Sequence, residues 1–106
     1  MNQESILTIE KKENIFIFEL EIPNLNLANI DSTYLNINLE RYASEIDLKN
    51  KKIITKIPAE KLFTENQTEN LFRLEFELFM KDGKINKYIK RVLIYKRGKV
   101  IFMKGD

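Results

Sequence analysis

The sequence predicts an all-β protein, an antiparallel β-sandwich of about seven short strands with one short helix. Apolar and polar residues alternate repeatedly, and turn-forming residues separate the alternating segments. The length of 106 residues suits one domain, residues 1–106, with a single core. The alternative is an α+β fold with a meander sheet, which requires longer helices at residues 41–48 and 58–63.

Four strands are predicted in the first half of the chain, with a turn at residues 11–14. They are Ser5–Glu10, Ile15–Ile22, Tyr34–Glu40 and Lys52–Ile57. In the third of these, the period of two places Leu35, Ile37 and Leu39 on the inward face. Arg41–Ile46 is compatible with a helical turn or a loop, and a polar turn follows it at residues 47–52.

The predicted helix occupies Pro58–Phe63, because proline suits the first helical position, where no amide donor is needed. We expect helix to be confined to Pro58–Thr64 and the segment Glu40–Ile46. Three strands follow, at Leu71–Met80, Ile85–Tyr95 and Val100–Met103, the first two joined by an Asp-Gly hairpin turn.

Seven apolar side chains are expected to form the centre of the core. They are Phe16, Phe18, Leu20, Phe72, Leu74, Phe76 and Leu78. A strict two-residue turn at Asp82-Gly83 would set Lys87 opposite Leu78, so we predict a bulge or a longer loop that brings Tyr88 and Val92 inward. Apolar residues outside the main stripe, such as Leu71, predict partial burial on both faces of this hairpin.

The composition excludes several kinds of chemistry. The chain has no Cys and no His, which removes disulfides, thiol nucleophiles, histidine triads and Cys/His zinc sites. Its three Gly form no phosphate-binding loop, and its Asp residues are isolated. Glu75 and Glu77 share one strand face, but at positions expected for polar outer-face residues. We therefore assign no catalytic residue, no metal ligand and no cofactor, and expect a protein that is not an enzyme.

Positive charge is concentrated in the last quarter of the chain. Residues 81–106 carry 9 basic and 2 acidic side chains, whereas residues 1–80 carry 9 basic and 14 acidic ones. The basic side chains either protect a sheet edge and keep the protein soluble, or form a positive face for an anionic partner. The candidate partner-binding residues are Lys84, Lys87, Tyr88, Lys90, Arg91, Tyr95, Lys96 and Arg97.

Arginine is scarce, at 4 residues against 14 lysines, which favours a protein partner over nucleic acid. Tyr88 and Tyr95 lie among basic residues, a mixture that also occurs where bases stack along a basic groove. We therefore expect nucleic-acid binding to be weak if it occurs.

The order of these features resembles the immunoglobulin-like domain of bacteriophage baseplate and tail proteins. The similar elements are Asn29-Ile30-Asp31 before Tyr34–Leu39, the strand ending in Ile-Pro before a helical turn at Ile57–Phe63, and the hairpin at Phe72–Tyr95. The resemblance covers residues 25–96. The glycine usual before the penultimate long strand is replaced by Asn66–Asn70.

The resemblance implies a structural or docking module of phage or prophage origin that binds a protein partner. A second hypothesis is a small inhibitor that occludes a host nucleic-acid-binding defence enzyme, as anti-CRISPR proteins do. A third is direct nucleic-acid binding through the basic C-terminal hairpin. The N-terminal residues lack the pattern of a signal peptide, and the longest apolar run is four residues. We therefore expect a cytoplasmic or phage-particle location and no membrane partner.

Overall fold

The computed structural model describes residues 4–104, which form nine strands and a single-turn helix. In chain order the elements are β1 (Ile6–Lys12), β2 (Ile15–Glu21), a 3-10 turn (Leu27–Asn29), β3 (Ile30–Ile37), β4 (Glu40–Ala43), β5 (Glu45–Asp47), β6 (Lys52–Pro58), α1 (Ala59–Leu62), β7 (Glu69–Met80), β8 (Ile85–Tyr95) and β9 (Val100–Phe102). None of the helices within these residues has the length and apolar character needed to cross a membrane.

The strands form two antiparallel sheets that enclose one apolar core. The first sheet has the order β1-β2-β6-β5 and the second has the order β4-β3-β7-β8-β9. Apart from β9, this order corresponds to the ABED and C′CFG sheets of immunoglobulin-like sandwiches. The predicted all-β sandwich is therefore confirmed, with β9 as an additional strand beside the G position.

The core is built from the inward faces of both sheets. The seven predicted centre residues are all buried; among them Phe16, Phe18 and Phe76 are completely shielded from solvent. Phe63, just after α1, lies between the sheets, with its ring centroid 5.7 Å from Phe16 and 5.8 Å from Phe72. The helix thus occupies the predicted position, and it packs the chain against one end of the core.

The segment from residue 38 to residue 47 differs from its prediction. Leu39 does not face the core but is fully exposed, because Asn38 and Leu39 form the turn between β3 and β4 with φ of 52° and 66°. Positive φ at both positions is typical of the tight turn whose twist matches two antiparallel strands. The alternation of Leu35 and Ile37 continues into this turn, so the pattern alone does not mark the end of the strand.

Residues 40–47 form neither helix nor loop but two short strands. β4 pairs with β3, and β5 pairs with β6 of the other sheet. The chain changes sheets at Ser44, whose amide donates to the carbonyl of Thr33 at 3.0 Å and whose hydroxyl lies 2.6 Å from that of Thr55. These pairings determine the conformation of a segment whose local pattern is ambiguous, and they raise the strand number from about seven to nine.

The β7–β8 hairpin confirms the predicted register shift. Four residues, Lys81 to Lys84, separate the two strands, with Gly83 at φ 91°. The Met80 amide donates to the Lys84 carbonyl at 2.8 Å, so this pair closes a loop of three residues. Three loop residues, rather than two, place Tyr88 opposite Phe76 and Val92 opposite Phe72. The lysines at 84 and 87 are thereby kept away from the core.

Candidate functional site

The eight candidate residues are spread along the whole of β8 and the turns at both its ends. β8 contains 11 residues, which corresponds to a length of about 33 Å. Lys84 lies in the turn before it, and Lys96 and Arg97 lie in the turn after it. The structure therefore separates the candidates into three groups instead of one continuous positive face.

The first group is electrically balanced. Lys84 Nζ lies 4.0 Å from a carboxylate oxygen of Asp82, and Lys87 Nζ lies 3.8 Å from a carboxylate oxygen of Glu77. Both lysines are exposed. Their charge is nevertheless compensated locally, which weakens any attraction for a distant anion.

In the second group, Tyr88 and Lys90 face the interior side of the second sheet, whereas Arg91 does not. Tyr88 packs against the core, and this burial raises the pKa of its phenol. Lys90 lies opposite Leu74 in the β7–β8 ladder and is half-buried, with its Nζ donating to the Ser5 carbonyl at 3.3 Å. Arg91, its neighbour in the chain, is exposed on the opposite face. Lys90 and Arg91 therefore do not act on the same surface.

The third group lines an open cleft at the end of the sandwich. We call this the basic cleft; its volume is about 600 Å³. It is lined by Lys11, Thr68, Glu69, Tyr95, Lys96 and Arg97. The structure thus brings three of the predicted residues together and adds three others from β1 and from the start of β7.

The basic cleft is held by the turn between β8 and β9. Two hydrogen bonds fix the backbone of Lys96. Its amide donates to the Thr68 carbonyl at 2.8 Å, and its carbonyl accepts from Lys11 Nζ at 2.9 Å. Gly98 has φ of 120°, and a Cβ there would lie 3.4 Å from Cβ of Lys11. The positive φ favours glycine in this turn, whereas a Cβ at that distance from Lys11 would make an ordinary van der Waals contact.

Two cations lie near the ring of Tyr95, which forms one side of the cleft. The guanidinium carbon of Arg97 and Nζ of Lys99 each lie 5.5 Å from its ring centroid. These distances are within the range of cation–π attraction, which orients the two cations without neutralising their charge.

An apolar row crosses the outer face of the second sheet directly beside the cleft. Leu71, Leu93 and Ile101 are opposite one another on β7, β8 and β9. The next row along the strands contains Arg73 opposite Arg91, with Met103 donating its amide to the Arg91 carbonyl at 3.0 Å. We call this surface the docking face; its residues are Leu71, Leu93, Ile101, Met103, Arg73 and Arg91.

The exposed apolar surface of the protein is concentrated around these three strands. Within residues 4–104, ten large apolar side chains are exposed, and six of them belong to β7, β8 and residues 100–103. The six are Leu71, Ile85, Ile89, Ile101, Phe102 and Met103. Phe102 pairs with the buried Val92, so it lies on the core-facing side of β9 and not on the outer face. The exposed apolar residues of the outer face are typical of an interaction surface.

A polar network occupies the other half of the same outer face. Glu77, expected to be exposed, is only 7% exposed; its Oε1 accepts from Asn36 Nδ2 at 2.5 Å and from Arg41 Nη2 at 2.6 Å. The hydrogen bond from Asn36 and the charge of Arg41 outweigh burial and lower the pKa of Glu77. A general acid requires the opposite shift, so this geometry holds the carboxylate ionised.

In the part of the chain that the structure describes, no group of three or more acidic, His or Cys residues has the arrangement to hold a metal ion.

Comparisons with protein-family models, with curated proteins and with solved structures gave no significant match.

Sequence reasoning did not identify Lys11, Thr68 and Glu69 as cleft residues. Lys11 is 85 positions from Lys96, and nothing in the sequence indicates that β1 runs beside the β8–β9 turn. Two signals pointed to the docking face: Leu71, an apolar residue outside the main stripe of its strand, and Arg91, one of the candidate partner-binding residues.

Proposed function

We propose that this chain is a non-enzymatic docking module that binds a protein partner through the docking face. The observation that carries the proposal is the apolar row of Leu71, Leu93 and Ile101, flanked by Arg73 and Arg91. Protein interfaces are enriched in arginine and methionine together with apolar residues, and depleted in lysine. The docking face has this composition, whereas the rest of the basic segment consists mainly of lysine.

Nucleic-acid binding has less support from the same geometry. A surface that follows a phosphate backbone needs a continuous line of uncompensated cations and accessible aromatic rings. Here Lys84 and Lys87 lie beside carboxylates, and Tyr88 packs against the core. A protein partner is therefore the better match.

The proposal includes a structural role of the baseplate or tail type in a phage or prophage particle. Its basis is the sequence resemblance, together with a strand order of the immunoglobulin-like kind. The identity of the partner distinguishes this role from that of an inhibitor: a particle protein supports the first, and a host nucleic-acid-binding enzyme supports the second.

Site-specific photo-crosslinking tests the docking face against the opposite side of the sandwich. Ile101 and Ile15 are matched positions, with exposures of 39% and 40% on the second and first sheets. A benzophenone amino acid at each position is irradiated in an extract of the cell or infected cell that encodes the chain. We expect a discrete protein adduct from position 101 and none from position 15.

Competition makes this result specific. Excess unlabelled wild-type protein should suppress the adduct, whereas excess Ile101→Glu protein should not, because a buried unpaired carboxylate opposes docking. Equal adducts from both positions, or an adduct that Ile101→Glu suppresses equally well, would contradict the proposal. If the adduct at position 101 is a crosslinked dimer of the chain, the docking face mediates self-association and does not bind a different protein.

A further inference from the structure

We propose that the basic cleft binds carboxylate side chains of an extended acidic segment of the partner protein. This inference rests on the proposed function and names the chemistry of the segment: carboxylates that enter the cleft, alternating with apolar side chains that cover the docking face.

The cleft and the docking face are continuous. Glu69 and Tyr95 form the pair that precedes Leu71 and Leu93 on the same face, two residues further along each strand. Two residues of β-strand span roughly 7 Å, which is also the spacing of alternate side chains in an extended peptide. A bound segment in the extended conformation therefore places successive side chains of one face in the cleft and on the apolar row.

The cleft carries an excess of positive charge. Lys11, Lys96 and Arg97 line it against a single carboxylate, that of Glu69. Across residues 4–104, none of the ion pairs includes Lys11, Lys96, Arg97 or Lys99. The Glu69 carboxylate accepts from the hydroxyl of Thr68 at 3.1 Å.

The lysine ammonium groups are positioned by neutral acceptors. Lys11 Nζ donates to the carbonyl of Lys96, and Lys96 Nζ donates to the carbonyl of Glu65 at 3.2 Å. Each ammonium has three donors, and backbone carbonyls leave its net charge intact. The cleft therefore presents oriented cations whose charge a ligand carboxylate is able to compensate.

The adjacent surface distinguishes an acidic peptide from a nucleic acid. A phosphate backbone satisfies the cations but leaves Leu71, Leu93 and Ile101 exposed, whereas a segment with alternating acidic and apolar residues covers both. This difference in the apolar surface that each ligand covers commits the cleft to carboxylates.

The probe is a capped peptide of alternating glutamate and leucine, titrated into the 15N-labelled full-length protein. We expect amide shifts at Thr68, Lys96, Arg97 and Gly98, which surround the cleft. The same peptide with glutamine in place of glutamate should bind at least about fivefold more weakly, because it lacks the charge contacts. Oligothymidylate of equal charge is the nucleic-acid probe, and tighter binding of this probe would overturn the inference.

Charge-reversal variants locate the effect. The double variant Lys96→Glu/Arg97→Glu should lose the glutamate peptide, whereas Lys49→Glu/Lys51→Glu, with the same change in net charge, should keep its affinity within about twofold because salt screens distant charges. Both control lysines are exposed in the turn between β5 and β6. The single variant Arg97→Glu tests the same effect without changing Lys96, where a substitution could disturb folding. Each variant is used only if its melting temperature equals that of the wild type.

The outcomes separate the two proposals. Peptide shifts confined to Leu93 and Ile101, with an unchanged affinity in the cleft variant, overturn the carboxylate site and leave the docking face intact. Equal losses in both double variants reduce the effect to general electrostatics and also overturn the site. No binding of either peptide, together with no specific adduct at position 101, contradicts both proposals.

Discussion

Arg41 donates to Glu77 across three strands of the second sheet, with its Nη2 2.6 Å from Oε1 of a carboxylate that is almost completely buried. The guanidinium also lies 4.8 Å from the ring centroid of Tyr34, so it is held between an anion and an aromatic face. Asn36 completes the arrangement by donating to both Glu75 and Glu77.

Glu77 should make stability depend on pH on the acid side. Its pKa is lowered from 4.5 by the hydrogen bond from Asn36 and the charge of Arg41, so its contribution is present above pH 4.5 and is lost as the pH falls further. We expect Glu77→Gln to lower the free energy of unfolding by about 1–3 kcal/mol at pH 7. Urea titrations from pH 7 to pH 3 should give a shallower loss for this variant, while Glu10→Gln, an exposed control, should follow the wild type.

Phe76 and Glu75 are adjacent residues with opposite orientations. Phe76→Ala should lower the free energy of unfolding by about 3–5 kcal/mol, because the ring is fully buried between the sheets. Glu75→Ala should cost about 1 kcal/mol or less, since it loses a 3.2 Å hydrogen bond from Asn36, whose amide still donates to Glu77, and a long ion pair of 3.8 Å with Arg73. Chemical denaturation measures both, and equal losses would mean that the strand faces are reversed.

Two buried threonines should respond oppositely to the same substitution. The hydroxyl of Thr33 has no hydrogen-bond partner among the described residues, so Thr33→Val should raise the free energy of unfolding by about 1 kcal/mol. Thr55 shares a hydrogen bond with Ser44. Thr55→Val should therefore lower the free energy of unfolding by about 1–2 kcal/mol, because it leaves the serine hydroxyl unpaired. Thermal denaturation of the two variants would contradict this account if both shift in the same direction.

The turn between β3 and β4 contains avoidable strain. Leu39 is fully exposed at φ 66°, a conformation that glycine adopts without a side-chain penalty. Leu39→Gly should therefore raise the free energy of unfolding by about 0.5–1 kcal/mol. Leu39→Ala removes most of the same apolar surface but keeps the penalty, so its melting temperature should match that of the wild type. An equal gain would mean that removing the exposed apolar side chain, and not relieving the backbone, stabilises the turn.

The parts of the fold that the sequence predicts best have turn residues at both ends. Ile85–Tyr95 is predicted with its observed ends because Asp82-Gly83 and Arg97-Gly98 enclose it. Buried stripes such as Phe72 to Leu78 are equally clear, since large apolar residues occupy every second position.

What the sequence does not predict depends on pairing between distant segments. β4 and β5 are strands because β3 and β6 supply partners, and Glu77 is buried because Asn36 and Arg41 approach from neighbouring strands. The basic cleft likewise requires Lys11 and Lys96 to meet from opposite ends of the chain. Charge counts along the sequence indicated a basic segment, but strand alternation divided its residues between two faces.

Ser44 connects the two sheets through its backbone and its side chain at once. Its amide donates to Thr33 in the second sheet, and its hydroxyl bonds Thr55 in the first. Local opening of either sheet at Ser44 therefore also breaks the hydrogen bond that joins Ser44 to the other sheet. Amide hydrogens at Ser44 and along the neighbouring part of β6 should exchange with solvent at a common rate, as one cooperative unit instead of two independently fluctuating layers.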